Sequence, residues 1–325
     1  MNKKSVILAL MLAVGATALA PAGAGAASWP EKPIRLLVGF APGGPTDNVA
    51  RIIAKQMSAD LGQAIIVENK AGAGGNIAAA ALRHVPADGY TFLYNTSSIV
   101  IAPWVYKSVG FDPIKDFSPV GLTAAVPLVL VVNNAVPAKS AKALIDLIKA
   151  SPDKYNYASS GTGAVEHLTA AHLLSTVGGH AIHIPYKGTA PAQVDLIAGA
   201  TQFTTTTLNT AIGPVKAGTL KALAITSRSR SPVMPDVPTV DESLIPGFES
   251  LAWQGIVAPA GTPPEVIEKF NQAINQALKS QEVRDSLEQQ GTFSLGGSAD
   301  EYGAYIKKEY ARWEKVVKES GSGAK

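Results

Sequence analysis

What most limits the fold of this 325-residue chain is a repeated unit: a short apolar run, a polar turn rich in Gly, Ser, Thr or Asn, then a helical pattern. The apolar runs occupy residues 34–40, 65–67, 91–94, 128–132, 155–158, 182–184, 203–206 and 220–225. Strands alternating with helices predict an α/β architecture whose mostly parallel sheets are covered on both faces. Thr46 is placed to cap a helix that carries Val49, Ile52, Ile53, Met57 and Leu61 on one face and stops at Gly62. Ser140 is placed likewise ahead of Leu144, Leu147 and Ile148. Two capping boxes are expected near the end: Thr262 with Glu265, bracketing Pro263, and Ser298 with Glu301. Tyr302, Ile306, Trp313 and Val317 then follow at helical spacing and read as core.

The first residues have a different layout. Lys3 and Lys4 precede an uncharged run over residues 6–20, then Pro21 and a stretch of small residues. With Ala24-x-Ala26 as a cleavage signal, residues 1–26 read as a secretory signal peptide. The run is shorter than the roughly 20 apolar residues a membrane span requires, which disfavours an uncleaved anchor. Losing Lys3 and Lys4 lowers the formal charge from +3 to +1, so the mature chain has no field suited to a nucleic-acid partner. Cysteine is absent, which removes disulfides, thiolate metal sites and a cysteine nucleophile. Export without cysteine points to the periplasm of a Gram-negative bacterium.

Several familiar chemistries are missing. Gly72-x-Gly74-Gly75 lacks the third glycine of a dinucleotide fingerprint, because position 77 is Ile77. Residues 159–163 do not supply the Gly-x-Ser-x-Gly of a nucleophile elbow. His167 and His172 are five residues apart on a helix and diverge, and His180 and His183 point to opposite faces of an extended segment. No metal and no cofactor are expected. His167 has the best case for a functional role, one turn into a helix after a Gly-rich loop. The enzymatic alternative is a secreted hydrolase of a small carboxylate ester, built on a dispersed Ser-His-Asp set.

The strand-end turns share one character. In an open parallel sheet they face the crevice where ligands bind. Glycine lets the backbone approach a ligand and offer successive N–H groups, and a helix N-terminus adds about half a positive charge. Several such ends in one cleft suit a carboxylate. The candidate contacts are Pro42, Gly43, Gly44, Thr46 and Asp47 in the first loop and Ser97 and Ser98 in the third. Ser159, Ser160, Gly161, Thr162, Gly163 and His167 follow the fifth run. Tyr186, Lys187 and Thr189 follow the sixth, and Thr206 and Thr207 close the seventh. Asp47 reads either as a contact or as a first-turn residue orienting its loop, and Tyr186 either as a contact or as core.

Ordered motifs carry a family resemblance. They include Phe40-x-Pro42-Gly43-Gly44-x-Thr46-Asp47, Val67-Glu68-Asn69-Lys70-x-Gly72-Ala73-Gly74-Gly75-Asn76 and Tyr157-Ala158-Ser159-Ser160-Gly161. His183-Ile184-Pro185-Tyr186-Lys187-Gly188, Pro235-Asp236-Val237-Pro238-Thr239 and Ala258-Pro259-Ala260-Gly261-Thr262-Pro263 complete the set. From Trp29 to about residue 318 the chain resembles the Bug-type periplasmic receptors of tripartite tricarboxylate transporters. The resemblance implies a two-lobe "Venus flytrap" of the periplasmic-binding-protein type. One lobe would hold residues 28–123 and 226–325 and the other 124–225, with crossings near residues 122–126 and 224–226. It also implies a monomeric, non-enzymatic receptor that delivers a small carboxylate to membrane transporter components. Where many relatives carry an acidic residue and Asn, this chain has Thr206 and Thr207. The nearby loops offer only Asp47 and Glu68 to an ammonium. The expected ligand is therefore a mono- or dicarboxylate without an ammonium group, with room for an aromatic or extended apolar body.

Overall fold

A computed structural model describes residues 29–323, so the signal segment expected over residues 1–26 lies outside the described residues. The first part is a parallel α/β unit. It comprises β1 (Ile34–Val38), α1 (Pro45–Leu61), β2 (Ile65–Asn69), α2 (Asn76–Leu82), β3 (Thr91–Thr96) and α3 (Ser98–Val105). β1 lies between β2 and β3 and is parallel to both. The apolar face of α1 buries Val49, Ile53 and Met57 as the periodicity requires. Its cap is Gly44 rather than Thr46, because Pro45 takes the first helical position, where its missing N–H and fixed φ suit the helix.

A long strand, β4 (Phe117–Asn133), leads into a second unit. That unit has α4 (Ala141–Ala150), β5 (Asn156–Ser159), α5 (Val165–Thr176), β6 (Ile182–Pro185), α6 (Thr189–Ala198), β7 (Phe203–Thr207), α7 (Leu208–Lys216) and β8 (Leu220–Ile225). β5 pairs in parallel with β6 and β7. The chain continues through α8 (Val240–Ser243), β9 (Leu251–Pro259), α9 (Pro264–Lys279), α10 (Gln281–Gln289), β10 (Phe293–Ser294) and α11 (Ala299–Ser320).

The strand order is β2-β1-β3-β9-β4-β7-β5-β6, with β8 and β10 also pairing β4. Both outer arms are parallel, and antiparallel strands join them at the centre. Residues 117–127 of β4 pair antiparallel with β9, and residues 128–132 pair antiparallel with β7. One strand thus belongs to both arms. Its C-terminal part is buried on both faces: Leu130 and Val132 face a core with Leu144, Tyr157 and Phe203, while Val129 and Val131 face Leu196, Leu208 and Ile225. A third core gathers Leu37, Leu93, Trp253, Tyr302 and Trp313 over the first arm.

Ser140 caps α4 by accepting from Ala143 N–H, and the Ser298–Glu301 box forms on α11. The Thr262–Glu265 box does not form. Pro264 pushes the residue before it out of the helical region, so Pro263 stays extended and α9 starts one residue later than expected. Thr262 Oγ1 donates instead to Pro259 O at 2.8 Å.

Candidate functional site

In the first arm, the loop after β1 is organised from below by Asp47. Its side chain is 1% exposed. Oδ2 accepts from Gly43 N–H and Arg51 Nε, both at 2.8 Å, and Oδ1 accepts from Asn69 Nδ2 at 2.7 Å. Asn69 Nδ2 also donates to Phe40 O at 2.9 Å. Burial alone would push the carboxyl up, but the hydrogen bonds from Arg51, Asn69 and Gly43 outweigh it and hold Asp47 below its usual range. Of the two readings of Asp47, this geometry fits the loop-orienting one. Pro42 and Gly43 are exposed, and Gly44 and Thr46 are half-buried, at the surface that Asp47 shapes.

Ser98 Oγ donates to Gly74 O at 2.7 Å and lies 2.7 Å from Thr96 Oγ1, tying the loops after β2 and β3. Ser97 points elsewhere in role: it is 2% exposed, and its N–H donates to Trp253 O at 3.0 Å. Phe40, Gly75, Thr96 and Ser98 share a small concavity at this end of the arm.

In the second arm, Ser159 is 2% exposed, with Oγ 2.6 Å from His183 Nε2 and 3.0 Å from Gly161 O. His183 stacks on His167, ring centroids 3.8 Å apart, and on Tyr157 at 5.0 Å. Burial pushes His183 down to about 4. Burial, with His183 alongside, pushes His167 down to about 3. Both rings are neutral at neutral pH, so His167 Nδ1 can accept from Gly163 N–H at 3.2 Å. His167 therefore holds the loop 159–163 rather than presenting itself to solvent. Tyr186 Oη donates to Asp195 Oδ2 at 2.7 Å, and burial together with that carboxylate pushes the phenol up to about 12. Gly188 N–H and Tyr186 N–H donate to Ser160 O and Ser159 O, joining the loops after β5 and β6. Lys187 is exposed, and Thr189 is the first residue of α6.

The two arms touch at one of these loops. Tyr106 Oη, just past α3, donates to Thr162 O at 2.8 Å. Gly163 has φ +80°, and a Cβ there would lie 2.8 Å from Val105 Cγ1, so glycine is required on both counts. Among the described residues, no hydrogen bond links the loop 43–47 to the loop 159–163.

Sequence reasoning passed over Glu166. Its Oε2 accepts from Ser160 Oγ at 3.0 Å, and burial pushes its carboxyl up. It lines a cavity with Thr206, although 40 positions separate them in the chain. The premise that only Asp47 and Glu68 supply acid near these loops therefore fails. Among the described residues, no group of three His, Cys, Asp or Glu could hold a metal ion.

Residues 49–322 match the family described as the tripartite tricarboxylate transporter family receptor. The chain belongs to that family. Solved relatives cover nearly all of it. Rpa4515 of R. palustris, determined with adipate, is 36% identical over 90% of this chain and 98% of its own, with a TM-score of 0.83. The periplasmic binding protein BugD is 35% identical over 91% of this chain and 100% of its own, with a TM-score of 0.81. MatC of Rhodopseudomonas palustris, determined with bound malate, is 32% identical over 89% of this chain and 100% of its own, with a TM-score of 0.78. The expected family and the α/β periplasmic-binding-protein fold are thereby established. Among the described residues of this receptor-family chain, no helix is long and apolar enough to cross a membrane.

Proposed function

We propose that this chain is exported, loses residues 1–26 and acts as a periplasmic receptor that captures a small organic carboxylate without turning it over. It hands the ligand to the membrane components of a tripartite transporter. The observation that carries this reading is the pair of relatives holding adipate and malate, each matched over about nine-tenths of this chain. The loop architecture supports it: Gly-rich turns enter α1, α5 and α6, and the positive ends of these helix dipoles favour an anion. The carboxylate rests on the loop 42–47 and the loop 159–163, with Thr189 and Thr207 at the margin.

The receptor has two lobes, one built on β1, β2, β3 and β9 and the other on β5 to β8, with β4 running through both. The return crossing lies at residues 250–251 rather than 224–226. What supports the later return is that Val240 and Phe248 share a core with Leu144 and Tyr157, and that Thr239 bridges Ile225.

The test is a thermal-shift and calorimetric panel of adipate, malate, benzoate and unsubstituted aliphatic acids. A true ligand at about 100 times its Kd stabilises the fold by about 2.7 kcal/mol. Product analysis after prolonged incubation should recover the acid unchanged. Gly44→Val, which blocks backbone approach at the first loop, should abolish binding while the fold is retained. A panel in which no carboxylate shifts the transition overturns the proposal.

A further inference from the structure

We propose that Glu166 and Thr206 form a subsite that reads a hydrogen-bond-donating substituent, hydroxyl or ammonium, on the carboxylate ligand. The inference rests on the receptor reading above and narrows its ligand class.

The subsite is a small cavity between the second arm of the sheet and helices α6 and α7. Its walls are aliphatic, with Val131, Ala192, Leu196 and Leu220 among them. Ser160 and Thr189 line it and also belong to the strand-end loops, so the cavity adjoins the proposed carboxylate grip. No Lys, Arg or His lines it. Its polar lining includes unused capacity. Glu166 is met by the Ser160 hydroxyl at 3.0 Å and by its own backbone N–H. No cation is recorded against it among the described residues. Thr206 is 7% exposed, and its Oγ1 has no hydrogen-bond partner. An orphaned buried hydroxyl beside a carboxyl without a counter-ion is unfavourable unless something arrives to use both.

Chemistry selects the guest. A second carboxylate would be desolvated beside Glu166 with no cation to offset the repulsion. A hydroxyl donates to either the neutral or the ionised Glu166 and can in turn accept from Thr206. An ammonium restores the ionised carboxylate by pairing with it. The two sources share donor chemistry and differ in charge, which one variant can separate: Gln keeps an acceptor oxygen and loses the charge, whereas Leu loses both.

Calorimetry would compare matched acids on the purified protein: propionate, lactate and alanine, then butyrate, 4-hydroxybutyrate and 4-aminobutyrate. In the wild type, at least one substituted acid should bind about tenfold or more tightly than its unsubstituted parent. Glu166→Leu should erase that advantage for either substituent. Glu166→Gln should erase it for the ammonium and spare it for the hydroxyl. Thr206→Val, nearly isosteric, should reduce the advantage without destabilising the fold, and it decides the matter if Glu166→Leu does not fold. A parent acid that binds as tightly as its substituted forms, or an advantage that survives both Glu166→Leu and Thr206→Val, overturns the subsite while leaving the receptor reading intact. Failure of every acid to bind removes the receptor reading and the subsite with it.

Discussion

Asp47 and the His167–His183 pair respond to pH with the same sign in different windows. Asp47 is held below its usual range, so its contribution is complete above the unfolded value near about 3.9 and is lost as pH falls through the folded value. Its partner Arg51 is 47% exposed and solvent-screened, so Asp47→Asn should cost only about 1–2 kcal/mol at neutral pH. Urea unfolding should show that gap narrowing as pH falls below about 3.9. The histidines act at higher pH. Their neutral forms are the native ones, with values pushed to about 4 and about 3 against an ordinary 6.5. The unfolded chain takes up protons first, so stability is full above about pH 6.5 and falls as pH drops toward 4. Each ring adds a slope of up to about 1.4 kcal/mol per pH unit. His183→Gln keeps a polar partner for Ser159 and removes one titration, so the slope of stability between about pH 6 and 4.5 should fall by about one proton. An unchanged slope would place the titration elsewhere.

Among the elements, β9 and α11 pack against each other at Gly255 without room for a side chain. A Cβ there would collide with both Cζ and the hydroxyl of Tyr302 and lie 2.9 Å from Gly121 O. Tyr302 is 1% exposed and donates to Asn95 Oδ1 at 3.0 Å, so it has no room to retreat. Gly255→Ala should therefore cost about 1–3 kcal/mol in urea unfolding. Combined with Tyr302→Leu, which removes both the colliding ring edge and the hydroxyl, the loss should be less than additive; strict additivity would mean that the strain lies elsewhere. β9 is also an element that sequence patterning did not reveal. The parallel strands announced themselves because each apolar run ends in a turn and a helix, as at Ile34–Val38 and Asn156–Ser159. The first half of β4 did not, since Pro119, Gly121 and Pro127 read as turn punctuation, yet the strand absorbs two register shifts there. The site was legible to the same degree. Its Gly-Ser-Thr loops could be listed from the sequence, because local turn chemistry writes them. The Ser159–His183 contact could not, because it depends on β5 and β6 pairing with Tyr157 opposite His183. Glu166 was overlooked for the same reason: only the placement of α5 beside β7, where Thr205 Oγ1 donates to Glu166 O, brings it near Thr206.

At the scale of the whole molecule, the proposed lobes meet where β4, β8 and β9 exchange partners, and Thr226 sits at that junction. It is fully buried. Its hydroxyl accepts from Leu128 N–H at 2.8 Å and lies within donor reach of the Leu128 and Ser250 carbonyls. A bend between lobes must pass beside this knot, because β4 changes partner from β9 to β7 between Pro127 and Leu128, and Ser250 belongs to the proposed return crossing. A ligand shifts such a bend only by binding the closed form more tightly than the open one. Contacts to both lobes supply that difference, since loops from one lobe alone would bind both forms equally. The radius of gyration from solution scattering should therefore fall when the protein is saturated with an acid that calorimetry shows to bind. Thr226→Val leaves Leu128 N–H and the Ser250 carbonyl without their hydroxyl partner and should cost about 1–3 kcal/mol of stability. Because it leaves the ligand loops untouched, compaction should persist in the variant while the acid concentration that drives it changes. A wild-type protein that binds acid without any compaction would show that the two arms are rigidly joined, and would remove the closing motion from the proposed mechanism.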